Sequence, residues 1–115
     1  MNTHFMKLNP EPFNKIKSGA KTYELHLHDE KRKSINVGDF IEFTKQNSAE
    51  KCIVKVIDLL LFNNFAELYA KLPLDQCGYD TSKLENASPK DMEKYYTKKE
   101  QRRYGVIAIK IEPVE

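Results

Sequence analysis

The run Gly19-Ala20-Lys21-Thr22-Tyr23-Glu24-Leu25-His26-Leu27-His28 places an ammonium, a hydroxyl, a carboxylate and two imidazoles within eight residues, starting at Lys21. On a β-strand, alternate side chains leave opposite faces. Thr22, Glu24, His26 and His28 then share one face, and Lys21, Tyr23, Leu25 and Leu27 the other. Leu25 and Leu27 direct the second face to a core, so Glu24 and His26 are expected toward solvent or a cleft. Lys21 has the wrong parity for its charge, and a turn or bulge after Gly19 would swing its ammonium toward Glu24. A cation, a carboxylate and an imidazole gathered at a cleft can hold a polar ligand by charge-assisted hydrogen bonds or carry out acid–base chemistry. The plainer alternative is a solvated Lys–Glu pair worth ~0–1 kcal/mol at a sheet edge.

The same stretch invites a metal. Glu24, His26 and His28 as three strand ligands would span ~13 Å at ~3.3 Å per residue, too far for one ion with bonds near 2 Å. No metal site and no cofactor are expected. The two cysteines and three histidines of the chain lack zinc spacing, and there is neither a phosphate-binding glycine loop nor an evident Ser–His–Asp pattern. Basic residues occur in two places. Lys31-Arg32-Lys33 is one run; Lys94, Lys98, Lys99, Arg102 and Arg103 are the other, interleaved with Tyr95, Tyr96 and Tyr104. Cations among aromatics can contact phosphates and stack on unpaired bases. Tyrosines packing a helix on a sheet, with cations solvating the outer side, explain the pattern equally well.

The elements that must position these groups follow from period and punctuation. Phe5 to Leu8 reads as a first strand. Asn9 and Pro10 or Pro12 open a helix over about 10–18, with Phe13 and Ile16 as its apolar stripe and Gly19 as its left-handed stop. The motif strand follows over about 21–27, and the charged stretch 29–36 reads as a loop. Val37-Gly38-Asp39 turns into a strand from Phe40 to Thr44, and a hairpin leads to a long strand, Cys52 to Leu61, able to bend across two parts of a barrel. Asn64-Phe65-Ala66-Glu67 resembles a capping box, putting Phe65, Leu68, Tyr69 and Leu72 on one helical face before Pro73. Residues 74–87 read as loop. Ser88-Pro89 and Thr97-Lys98-Lys99-Glu100 start two more helices, and Val106 to Ile111 forms the last strand. Strands separated by helices imply an α+β fold with a small mixed or antiparallel sheet that must curl or be capped to hide its edges.

The chain has 115 residues, 40% of them hydrophobic, which suits one domain over 1–115. A formal net charge of +2 is too small to favour nucleic acid by itself. The start, Met1 to Lys7, lacks a leader-like apolar core, and no apolar run nears ~18 residues. A cytoplasmic protein without membrane association is expected, with Cys52 and Cys77 reduced.

Gly19, Lys21 and Glu24 fit the G-x-K-x-x-E-x-R signature, and this chain resembles the ASCH domains of the PUA-like superfamily. The Val37-Gly38-Asp39 turn, the long apolar strand and Tyr104-Gly105-Val106 entering the last strand agree. The resemblance implies a PUA-like β-barrel of about five to six mixed strands, closed, with short helices at its ends. It also implies a cleft over the signature for RNA or a nucleobase-sized ligand. His26 stands where the signature has Arg, and an imidazole cannot make the bidentate fork of a guanidinium. A small bacterial branch of the family hydrolyses N4-acetylcytidine with a lysine, a threonine and a glutamate. Lys21 matches that lysine, whereas Glu24 occupies the position of the threonine.

RNA or nucleotide binding is therefore expected, with Gly19 making the turn and Lys21, Glu24, His26, Lys31, Arg32 and Arg103 as ligand contacts. The alternative is a small hydrolase, acting on an N4-acetylcytidine-like nucleoside or on RNA, with Lys21, Glu24 and Thr22 as its catalytic set. A third reading docks a protein partner on the tyrosine-rich segment 89–103. The oligomeric state is left open.

Overall fold

The computed structural model describes residues 1–114. Its strands are β1 (Thr3–Leu8), β2 (Tyr23–Leu27), β3 (Phe40–Lys45), β4 (Lys51–Phe62) and β5 (Val106–Pro113). Its α-helices are α1 (Pro10–Ser18), α2 (Glu30–Lys33), α3 (Phe65–Lys71) and α4 (Lys98–Tyr104), and three 3-10 turns cover Leu74–Gln76, Thr81–Asn86 and Pro89–Lys94. The strands form one mixed five-stranded sheet in the order β1-β3-β4-β5-β2. Only β1 and β3 run parallel; the other neighbours are antiparallel.

β4 produces the curl. Its first half pairs with β3 and its longer second half with β5, with a register shift between Val56 and Asp58. Such a shift bends a strand and raises its twist, so the sheet rolls into a half-barrel. β1 and β2 are its two edges, where the resemblance implied a closed barrel.

The alternation along β5 fixes two cores. Ile107, Ile109 and Ile111 enter the concave side with Ile41, Phe43, Val54 and Val56, closed at one end by Phe13 and Ile16 of α1. Val106 and Ala108 face the other side, where they pack with Tyr23, Leu25 and Leu27 of β2 and with Phe65 and Leu68 of α3. β2 and β5 are thus covered on both faces.

Local signals explain most boundaries. Pro10 starts α1, and Gly19 ends it at φ 86° with its N–H donating to the Ile16 carbonyl. Asn9 occupies the N-cap position, but its side chain makes no cap bond. Asn64 caps α3 by accepting from the Glu67 N–H, and Thr97 and Glu100 form a complete capping box on α4. Two stretches differ from expectation. Residues 29–36 contain α2, because the Asp29 side chain accepts from the Arg32 N–H. The segment 74–87 holds two 3-10 turns, and the helix expected after Ser88 is a 3-10 turn that retains its capping box. Cys52 and Cys77 are both buried and free. Among the described residues no helix is long and apolar enough to cross a membrane.

Candidate functional site

Lys21 is positioned by the turn out of α1. Its N–H donates to the Lys15 carbonyl, and the next N–H, of Thr22, donates to the Gln76 carbonyl. The three-residue link after Gly19 is thereby clamped between α1 and the 3-10 turn Leu74–Gln76. In β2, Glu24 lies opposite Ile109 and His26 opposite Ile107. Directly opposed residues of an antiparallel pair share a face, so Glu24 and His26 enter the concave side of the half-barrel.

There the side chains form one continuous chain. Lys21 Nζ is 2.8 Å from Glu24 Oε1, and Glu24 Oε2 is 3.1 Å from His26 Nε2. His26 Nδ1 is 3.1 Å from the Tyr96 hydroxyl. Glu24 is only 3% exposed and His26 8%. Of the two settings expected for these groups, a cleft or solvent, they take the cleft, and there they are nearly sealed from water. Burial by itself raises a carboxyl's pKa; the ammonium of Lys21 and the imidazole of His26 outweigh it and hold Glu24 at about 2. With Glu24 ionised, the consistent arrangement has His26 Nε2–H donating to it and Nδ1 accepting from Tyr96 O–H.

This chain lines a cleft of about 520 Å³. Glu11, Pro12 and Lys15 of α1 and, from the 74–96 segment, Cys77 to Asp80 and Asp91, Met92, Tyr95 and Tyr96 line it as well. A second hydrogen-bonded series braces that segment: Tyr69 and Tyr79 hydroxyls are 2.8 Å apart, and Tyr79 donates to Asp91 Oδ2 at 2.7 Å. Burial pushes the Tyr79 phenol up, while the bond from Tyr79 holds the Asp91 carboxyl down. Cys77 also lines the cleft, and burial raises its thiol to about 12 against the opposing charge of Lys21.

Other predicted residues lie elsewhere. Thr22 Oγ1 donates to Gln76 Oε1 at 2.8 Å and does not line the cleft. Lys31 Nζ donates to the Phe5 carbonyl at 3.1 Å, and Arg32 pairs with Asp29 at 3.3 Å. Arg103 stacks over the Tyr104 ring at 5.1 Å beside a separate and larger groove. Gly19 supplies the turn. Among the described residues no group of three His, Cys, Asp or Glu could hold a metal ion.

The family model for the ASCH domain matches residues 6–115. This chain belongs to the ASCH domain family. A crystal structure of the hypothetical protein PH0355 is similar over 99% of this chain and 100% of its own, at 31% identity and a TM-score of 0.80. The solution structure of protein PF0455 from Pyrococcus furiosus is also 31% identical, with 98% of each chain covered and a TM-score of 0.76. The crystal structure of ASCH from Zymomonas mobilis shares the fold at 14% identity and a TM-score of 0.68, over 98% of this chain and 71% of that one. Comparison with curated proteins gives no match.

In this ASCH domain, sequence reasoning missed Tyr96, Tyr79, Asp91 and Cys77 as cleft residues. Tyr95 and Tyr96 were legible as aromatics among cations, able to stack on bases or to pack a helix on the sheet, but not as partners of the Lys21–Glu24–His26 group. The partner of Tyr96, 70 positions away, is set by tertiary packing, including its stack on Phe65 at 5.8 Å.

Proposed function

We propose that this ASCH domain binds RNA or a nucleotide-sized ligand in the cleft over Lys21, Glu24 and His26. The observation that carries the reading is the Lys21–Glu24–His26–Tyr96 chain, charged groups held inside a cleft and nearly out of water. A buried ion pair adds little net stability compared with apolar residues of the same volume, whereas strongly perturbed titratable groups in clefts mark functional sites. The chain also retains capacity to bind. Lys21 has three donors and Glu24 takes one; the carboxylate accepts two bonds and has room for more. A base carbonyl or phosphate oxygen would accept from Lys21, and a base amino group would donate to Glu24.

The surroundings agree with such a ligand. A volume of about 520 Å³ suits a nucleotide-sized molecule. Tyr95, 60% exposed, offers a ring on which a base can stack, a contact worth ~1–3 kcal/mol. Lys7, Lys83 and Lys94 line the cleft without a carboxylate partner among the described residues, ready for phosphates. A hydrolase with Thr22 as nucleophile has less support, because that hydroxyl is bonded to Gln76.

The test is a titration at low salt with nucleosides, nucleotides and short single-stranded RNA, followed by NMR. The double variant Lys21→Met/Glu24→Gln removes both charges while keeping volume. Affinity at least ~10-fold weaker in a folded double variant is expected; unchanged affinity would sink the reading. N4-acetylcytidine in the same series reports turnover, and its conversion by the wild type alone would replace binding with hydrolysis as the function.

A further inference from the structure

The larger concavity of the molecule, about 1130 Å³, has no part in the chain of bonds around Glu24. His28 just past β2, the end of β4, the start of α3 and residues of α4 border it. Its carboxylates are engaged: Glu93 pairs with Lys98 at 3.6 Å, and Glu67 accepts from the Asn63 amide at 3.1 and 3.2 Å. Its other cations are not. Lys90, Arg102 and Arg103 are exposed and have no carboxylate partner among the described residues, and the Arg103 guanidinium lies over the Tyr104 ring at 5.1 Å.

The two concavities share a wall. On the 3-10 turn Pro89–Lys94, Asp91, Met92 and Lys94 line the cleft, whereas Pro89, Lys90 and Glu93 line the groove. Lys94 and Lys90 therefore stand on opposite flanks of one short ridge, about 8 Å apart along it at ~2.0 Å rise per residue. Exposed Tyr95, with Lys94 Nζ 5.4 Å from its ring, lies at the cleft end of the same ridge. Cations with no carboxylate partner among the described residues thus run from the rim of the cleft, across a narrow divide, into an open groove. That is the layout of a surface that follows a polyanion rather than one that encloses a small anion.

We propose that the groove carries the phosphodiester backbone of the same RNA strand whose base fills the Lys21 cleft. The strand passes over the Pro89–Lys94 ridge, with Lys94, Lys90, Arg102 and Arg103 meeting successive phosphates. This rests on the reading of the cleft as a base site and narrows it: the ligand is a polymer, and a free nucleotide uses only part of the surface.

The test uses a labelled eight-nucleotide single-stranded RNA of mixed sequence, and the four nucleoside monophosphates, on the full chain. The variant Lys90→Ala/Arg102→Ala/Arg103→Ala should weaken octanucleotide binding roughly tenfold at low salt. It should also lower the slope of log affinity against log salt by about 2, since each neutralised single-strand phosphate contributes ~0.7. Monophosphate binding should not change. Lys90→Ala/Arg102→Ala, which leaves the Arg103–Tyr104 stack intact, should give most of the effect, and Arg102→Lys/Arg103→Lys should keep the slope. If the groove variants bind the octanucleotide as tightly as wild type while Lys21→Met/Glu24→Gln weakens it, the groove proposal is overturned and the cleft reading stands. If the cleft variant has no effect and the groove variants abolish binding, the cleft reading fails, and the shared strand path with it. An octanucleotide that the wild type does not bind overturns the groove proposal, and the cleft reading falls with it if the monophosphates do not bind either.

Discussion

Because Glu24 accepts from Lys21 and His26 at once, removing either donor leaves a charge in a site that water barely reaches. Breaking a buried pair from one side costs about 3–5 kcal/mol. Lys21→Met should lower the unfolding free energy by that amount in urea denaturation, and adding Glu24→Gln should recover most of it. Acid should act through the same carboxylate. The unfolded chain takes up this proton near the ordinary value of 4.5, whereas the folded chain refuses it until about 2. Protonation therefore favours unfolding. The stabilisation is complete above about pH 4.5, disappears as pH falls through about 2, and amounts to roughly 3 kcal/mol. Asp39 adds to the slope in the same window, since its bonds to His4 and to the Asn36 N–H hold it at about 2. Urea midpoints measured from pH 6 to pH 2 should fall for the wild type and fall less for Lys21→Met/Glu24→Gln. At this scale the sequence exposed the meeting of Lys21 with Glu24, through strand parity and the glycine before it. It did not expose the burial, because parity separates two faces without saying whether either is covered.

Whole elements account for that covering. α3 presents Phe65 and Leu68, both fully buried, to the face of β2 opposite Glu24, and Tyr69 on the same helix begins the hydroxyl series through Tyr79 to Asp91. Leu68→Ala should cost about 2–5 kcal/mol by thermal or chemical denaturation, and the amides of 77–96 should exchange faster in consequence. Gly19→Ala makes a different demand. A Cβ there meets nothing within 4 Å, so the left-handed φ of 86° is the whole penalty, about 1–2 kcal/mol. α1 and α3 were legible because a proline or cap, an apolar stripe and a stop all agreed. α2 and the 3-10 turns of Leu74–Gln76 and Thr81–Asn86 were not: pieces of three to six residues are too short to display a helical period. The turn Pro89–Lys94 was legible by its cap but not by its type.

At the scale of the molecule, a small curled sheet and the bend of β4 could be anticipated, since only a long apolar strand can serve two sets of neighbours; the parallel pairing of β1 with β3 was one of two arrangements the pattern left open. The open edge between β1 and β2 could not, because closure depends on curvature rather than on composition. One feature of the topology bears on when the site can exist. β2 has a single hydrogen-bonded neighbour, β5, with Glu24 facing Ile109. A ribosome releases the lysine, glutamate and histidine early and the strand that must hold them late. Until β5 emerges, β2 has no backbone partner and Tyr96, although already made, has no fixed histidine to meet. Partly made chains thus carry every cleft residue but no cleft, and the cleft takes shape together with completion of the sheet.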